Sequence, residues 1–183
     1  GFLNTILKKR VEEEEIDLVV MGTNGNSGWD RKLLGSNTVN AINSLKAPVL
    51  SVPHDAVFNG INSIAFSTLF AASDKIVLDK LVKIAKGYDA TIKCIHVIED
   101  VEKVNREVVE SWLEYYDGHP ITFTLVEGKD VEKEIFTFLD KENIDLLVSV
   151  KRNRSFLEKL FTSSMTKKLS YHTHVPIIAF HEE

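Results

Sequence analysis

Cysteine is all but missing from these 183 residues: the one thiol, Cys94, cannot close an intramolecular disulfide and suits a reducing compartment. Long apolar runs are missing too. None approaches the roughly 20 residues needed to cross a bilayer, and no signal-peptide pattern is visible. Positive charge is not in excess, since 22 Lys and Arg stand against 27 Asp and Glu. The resulting formal charge of −5 leaves no electrostatic footprint for a specific nucleic acid or an anionic membrane. The chain has no Gly-x-Ser-x-Gly elbow, no Gly-Lys-Ser/Thr phosphate loop and no Gly-x-Gly-x-x-Gly dinucleotide turn. No nucleophile and general base pair up by spacing, so an efficient hydrolase is not indicated. His172, His174 and His181 have no cysteine or second tight cluster beside them, and no metal site is expected. The expectation is a globular protein of the cytoplasm.

What is present is order. Asp17-Leu18-Val19-Val20-Met21 is a short apolar run that empties into Gly22-Thr23-Asn24-Gly25, and nine residues later Gly35-Ser36-Asn37-Thr38 opens a helical pattern. This spacing, Gly-x2-Gly-x9-Gly-Ser, is the layout of a phosphate cradle. Glycine lets a backbone approach a ligand closely, so Gly22 and Gly25 can turn successive N–H groups toward an anion. Gly35 and Ser36 would add a helix N-terminus, whose amides and dipole favour negative charge. A long βα loop with turn glycines and a capping serine would read the same way and needs no ligand.

These residues resemble the nucleotide-binding motif of the universal stress protein family, and the resemblance covers almost the whole chain. It implies an α/β fold, a doubly wound parallel sheet of five strands of the adenine nucleotide alpha hydrolase-like kind. In such a domain the motif follows the fourth strand and holds the phosphates and ribose of ATP, with magnesium as companion ion. Gly22, Gly25, Gly35 and Ser36 would then be the phosphate-side contacts, with Asn37 and Thr38 beside them. The implied function is a stress response worked through nucleotide binding more than turnover.

The chain also repeats itself. At a separation of 128 residues, Ile16-Asp17-Leu18-Val19-Val20 falls on Ile144-Asp145-Leu146-Leu147-Val148, Ser36 on Ser164, Thr38 on Thr166, and Ala47-Pro48-Val49-Leu50 on Val175-Pro176-Ile177-Ile178. The pattern predicts two domains of unequal completeness: residues 1–60 as the C-terminal half of a first domain, and residues 61–183 as a complete second one.

The elements read as follows. Residues 3–14 have helical spacing through Leu3, Ile6, Leu7 and Val11, Ile16 to Met21 is a strand, Ser36 to Leu45 a helix, and Val49 to Val52 a strand. The second repeat opens with a strand at Ile64 to Phe66. A helix follows, capped by Ser73 and ended by Gly87, with Val77, Leu81, Ile84 and Ala85 inward. Thr91 to Ile98 is a strand, and Val101 to Tyr116 a helix carrying Val104, Val108 and Trp112 on one stripe. After the break at Asp117-Gly118-His119-Pro120 come a strand at Ile121 to Val126, a helix at Val131 to Leu139, a strand at Ile144 to Ser149, a helix at Leu160 to Tyr171 and a strand at Pro176 to Phe180. Alternating β and α elements argue for a parallel sheet covered on both faces.

The second repeat keeps the fold but not the cradle: Gly22, Gly25 and Gly35 become Val150, Asn153 and Ser163, and no carboxylate ends its first strand. It is therefore expected to be structural. Lys151, Arg152 and Arg154, with Lys159, Lys167 and Lys168 beyond, read either as a polyanion site or as a solvated basic loop. By the resemblance, Val49 to Val52 should lie antiparallel to Ile177 to Phe180. The half domain leaves the Ile16 to Met21 strand with an open edge, which a second copy is expected to cover. Three other readings stay open: a nucleotide-independent dimerisation scaffold, an adenylyl-transferring enzyme, and a polyanion binder.

Overall fold

The computed structural model describes residues 2–22, 36–151 and 174–182, and the chain divides into two compact units, Gly1–Val57 with Lys151–Glu183, and Phe58–Val150. In the first unit lie α1 (Phe2–Glu13), β1 (Val19–Gly22), α2 (Ser36–Ser44), β2 (Val49–Val52) and, from the far end of the chain, β7 (Ile177–His181). β1 runs parallel to β2, with Val19 opposite Val49 and Gly22 opposite Val52. β7 runs antiparallel to β2, with Val49 opposite Ala179 and Ser51 opposite Ile177, as the family resemblance implied. Their inward residues, Val49, Ile177 and Ala179, are buried, as are Ala41, Ile42 and Leu45 of α2 and the residue after it.

α1 forms where the spacing placed it, but of its predicted apolar stripe only Val11 is buried, and Leu3 and Ile6 stay exposed with Phe2. The helix stops with Glu15 at φ 50° and the Ile16 N–H donating back to the Val11 carbonyl at 3.3 Å, a left-handed cap of the Schellman kind. This cap delays the strand: β1 starts at Val19 instead of Ile16.

The second unit contains β3 (Ser63–Ser67), α3 (Ala72–Tyr88), β4 (Thr91–Ile98), α4 (Arg106–Tyr115), β5 (Ile121–Glu127), α5 (Val131–Lys141) and β6 (Leu146–Lys151), whose last residue falls in the first unit. Its strands run in the order β5-β4-β3-β6, all parallel. Of the two inner strands, β3 is buried along most of its length and β4 along half, whereas β5 at the edge has no fully buried residue. α3 contributes Val77, Leu78, Leu81 and Ala85 to the core, and α5 contributes Ile135, Phe136, Phe138 and Leu139. Fully burying one such large apolar side chain stabilises the fold by about 1.5–3 kcal/mol. Lys93 on β4 donates to the carbonyl and a carboxylate oxygen of Glu142, securing the C-terminal end of α5.

Several local expectations give way to tertiary chemistry. Ser73 does not cap α3; Ala71 is the cap residue, and the fully buried Asp74 carboxylate reaches back from the first turn. Its Oδ2 accepts from the Thr68 hydroxyl at 2.9 Å, the Leu69 N–H at 2.8 Å and the Ala71 N–H at 3.3 Å. α3 runs through Gly87, and Asp89 takes the left-handed position instead, at φ 55°. Leu78 is buried where Ile84 was expected, and Ile84 is exposed. The long helix predicted from Val101 is broken: a short 3-10 turn at Val101–Lys103 follows Asp100, and Asn105 caps α4 by accepting the Val108 N–H. Val109 and Trp112, not Val104 and Val108, are the buried residues of α4. The helix expected at Leu160 to Tyr171 lies outside the described residues.

Replacing Asp74 by Ala leaves a buried hydroxyl and two amides without their acceptor, so Asp74→Ala should cost about 2–4 kcal/mol in urea unfolding. A loss under 0.5 kcal/mol would show that the carboxylate does not hold this loop.

Candidate functional site

The carboxyl end of β1 is where an open α/β sheet presents ligands, because helix N-termini gather there. Apolar Val19 and the residues after it extend as a parallel strand against β2 and stop at Gly22. α2 then begins at Ser36. Thr38, in its first turn, is 1% exposed, and its hydroxyl donates to the Gly22 carbonyl at 3.3 Å. This bond draws the start of α2 to the end of β1. It brings Gly22, Asn37 and Thr38 together with the Ser36 backbone, whereas Gly25 and Gly35 lie outside the described residues.

A Cβ added at Gly22 would meet nothing within 4 Å among the described residues. Packing among the described residues therefore does not account for glycine here. The first turn of α2 carries no acidic residue, so its N–H groups keep their attraction for an anion. Asn37 is exposed at this end, and Thr38 offers its amide rather than its committed hydroxyl proton. An anion held by backbone amides at a helix start fits this arrangement.

The other end of α2 is compensated by bases. Lys151 Nζ donates to the Asn43 carbonyl at 3.0 Å, and His181 Nε2 lies 2.7 Å from the Ile42 carbonyl. Both carbonyls belong to the last turn, which has no partners inside the helix. Because a carbonyl only accepts, Nε2 carries the proton. Burial pushes the His181 pKa below its ordinary value, and the charge of Lys151 acts in the same direction. The imidazole is therefore neutral at neutral pH.

Other residues singled out by sequence have structural tasks. His174 pairs with Asp55 at 2.9 Å on the surface. His172, Arg152, Arg154, Lys159, Lys167 and Lys168 lie outside the described residues. Among the described residues no three His, Cys, Asp or Glu side chains converge on a metal position, and no helix is long and apolar enough to cross a membrane. Cys94 is buried, and burial, reinforced by the charge of Asp74, pushes its thiol far above the ordinary range. It is a core residue and not a nucleophile.

The carboxyl end of β3 is built differently. Leu69 is exposed there, and a carboxylate does sit nearby, supplied by Asp74 from α3 and spent on the loop. The sequence signal was Asp at the third position of the helix, the acidic half of a capping box. Phe70, at φ 57°, packs edge-on against His96 and Trp112, with centroids 5.3 and 5.2 Å away, and stacks on Phe123 at 6.0 Å. Val150, which replaces Gly22 in the repeat, is buried.

A family model, the Universal stress protein family, matches residues 4–53 and 70–181. A universal stress protein from Archaeoglobus fulgidus superposes with a TM-score of 0.74 at 20% identity, covering 98% of this chain and 65% of that one. A putative universal stress protein from Pseudomonas aeruginosa gives 0.71 at 13% identity, covering 97% and 67%. The chain thus spans about two thirds of the length of these relatives, and at such identities the likeness is one of fold. No curated protein matches the chain in sequence.

The His181 environment makes a pH prediction. The unfolded chain takes up a proton near the ordinary histidine pKa, the folded chain only at lower pH. The contribution is therefore complete above about pH 6.5 and is lost as the pH falls toward the folded pKa. Thermal unfolding should show the melting temperature dropping below that point. His181→Gln, which keeps a donor for Ile42, should flatten the drop; an unchanged slope would remove His181 from the acid response.

Proposed function

Because the chain belongs to the universal stress protein family, we propose that it works by binding an adenine nucleotide, ATP with magnesium, at the carboxyl end of β1. The phosphates would lie against the Gly22 backbone and the amides of Ser36, Asn37 and Thr38, with Gly25 and Gly35 completing the cradle. The observation that carries this reading is the Thr38–Gly22 hydrogen bond, which sets a helix N-terminus beside a glycine whose missing Cβ no packing among the described residues explains. The role is a stress response in the cytoplasm through binding, not turnover, with the second repeat structural.

A second reading has its own support. Phe2 is 85% exposed and Val20 60%, apolar surface on α1 and on the edge strand β1. A nucleotide-independent scaffold, assembled from copies of this chain across that surface, would use it.

Calorimetric titration of Mg-ATP into the chain tests the first reading. Saturable heat is expected, and Gly22→Val should weaken binding by about tenfold or more, since a side chain there stands where a phosphate would approach. The variant should stay folded, because its Cβ meets no neighbour among the described residues. Undiminished binding in the variant would sink the cradle, and sedimentation that finds a dimer without any nucleotide heat would favour the scaffold.

A further inference from the structure

The segment Phe58-Asn59-Gly60-Ile61-Asn62-Ser63 holds two asparagines in contrasting settings. When glycine or serine follows asparagine, little or no side chain obstructs the next amide nitrogen as it approaches the asparagine side-chain carbonyl. Ring closure then requires the peptide unit after the asparagine to turn its nitrogen onto Cγ. Whether it can turn depends on what holds that unit.

The Asn62–Ser63 peptide is held at both ends. Its carbonyl accepts the Thr91 N–H at 2.9 Å, and its N–H donates to Asp145 Oδ2 at 3.0 Å. The Asn62 N–H donates to the same oxygen at 2.8 Å, and Ser63 opens β3 in register with Thr91. Asn62 is exposed, so these bonds and not burial protect it. Nothing comparable holds Asn59–Gly60. Residues 56–62 belong to no helix or strand, and among the described residues neither the Asn59 carbonyl nor the Gly60 N–H has a hydrogen-bond partner. Gly60 takes φ 99°, and a Cβ there would meet Asn62 Nδ2 only at ordinary contact, 3.7 Å, so its backbone angle and not its packing favours glycine. Asn59 is exposed, and Val57 and Phe58 before it are each 77% exposed, which leaves the segment open to water and to an enzyme. The other described asparagines are placed differently. Asn4, Asn37, Asn40 and Asn43 lie within helices, Asn105 caps α4, and Asn143 precedes branched Ile144, whose N–H is bound to the Leu139 carbonyl.

We propose that Asn59 is a site of self-modification, which converts through a cyclic imide into aspartyl and isoaspartyl linkages. The Gly60 nitrogen attacks Asn59 Cγ and a C–N bond forms. The bond from Cγ to the side-chain nitrogen breaks, and the Gly60 amide proton leaves with that nitrogen as ammonia. Water then opens the imide at either carbonyl. Opening at Cγ restores the ordinary backbone with an aspartyl side chain. Opening at the main-chain carbonyl routes the chain through Cγ, which lengthens the backbone by a CH2 and frees the α-carboxylate. Either product puts a negative charge where a neutral amide stood. The isoaspartyl form, exposed and outside any helix or strand, fits the methyltransferases that esterify isoaspartyl carboxylates with S-adenosylmethionine.

The test incubates the whole chain at neutral and mildly alkaline pH beside a synthetic peptide of residues 56–66. Both are mapped by mass spectrometry, and a protein isoaspartyl methyltransferase with labelled S-adenosylmethionine locates the isoaspartyl product. Position 59 should convert in the chain within about threefold of its rate in the peptide, faster at the higher pH, and should take the label. Position 62 should convert in the chain about tenfold or more slowly than in the peptide, because its hydrogen bonds must open first. That slow neighbour also certifies that the chain reacting at position 59 is folded. Protection of position 59 in the chain by more than about tenfold, or absence of label there, overturns the proposal. Equal rates for position 62 in chain and peptide overturn its structural basis.

Discussion

The antiparallel hydrogen bonds between β2 and β7 are the constraint on which the first unit rests. Without β7, β1 and β2 would be a two-stranded ribbon under two short helices, too little to be stable alone. With it, Val49 and Ala179 meet in a buried pair. His181 leaves β7 to reach the Ile42 carbonyl, and Lys151 reaches the next one. The C-terminal end of α2 is fixed by bases from the far end of the chain, and its N-terminal end by the Thr38 hydroxyl on β1. A helix tied at both ends presents its first amides in a fixed direction, which an anion site requires.

How legible this was depended on the kind of interaction. β2 and β4 occupy the residues read from sequence, because dense apolar runs bounded by turn residues leave few alternatives. The helices were legible as elements and less so at their ends. Asp74 displaced Ser73 as the loop's organiser through bonds to a turn folded by contacts elsewhere, and Asp89 took the left-handed position that Gly87 was expected to fill. Periodicity also says which residues share a face but not whether anything covers it, so Ile6 reads as core and stands in solvent. In the candidate site, the nearness of Gly22 and Thr38 was legible from the βα spacing. Their bond spans 16 residues and fixes how the helix is tied, which spacing cannot express. Asp145 was legible as one half of a repeat with Asp17, but not that its carboxylate accepts the Asn62 and Ser63 amides, contacts made across 83 and 82 residues.

The two repeats treat the same position in opposite ways. At the end of β1 a glycine lies beside a helix start whose first turn carries no acidic residue. At the end of β3 a left-handed phenylalanine turns its ring onto His96, Trp112 and Phe123, and a buried aspartate binds the loop amides. In the second repeat the loop amides are taken up by its own side chains. Such internal bonding stabilises the loop that follows β3.

The origin of β7 bears on how the protein comes into being. Phe58–Val150 is one contiguous stretch whose strand pairings can all close as soon as β6 has left the ribosome. The first unit, although synthesised earlier, must wait for the final strand, since Val49 pairs with Ala179. Its early residues therefore remain an incomplete sheet until β7 has been made, with Val20 and Leu18 available to chaperones or to neighbouring nascent chains. The sequence order of the strands thus makes the unit begun earlier the later of the two to be finished.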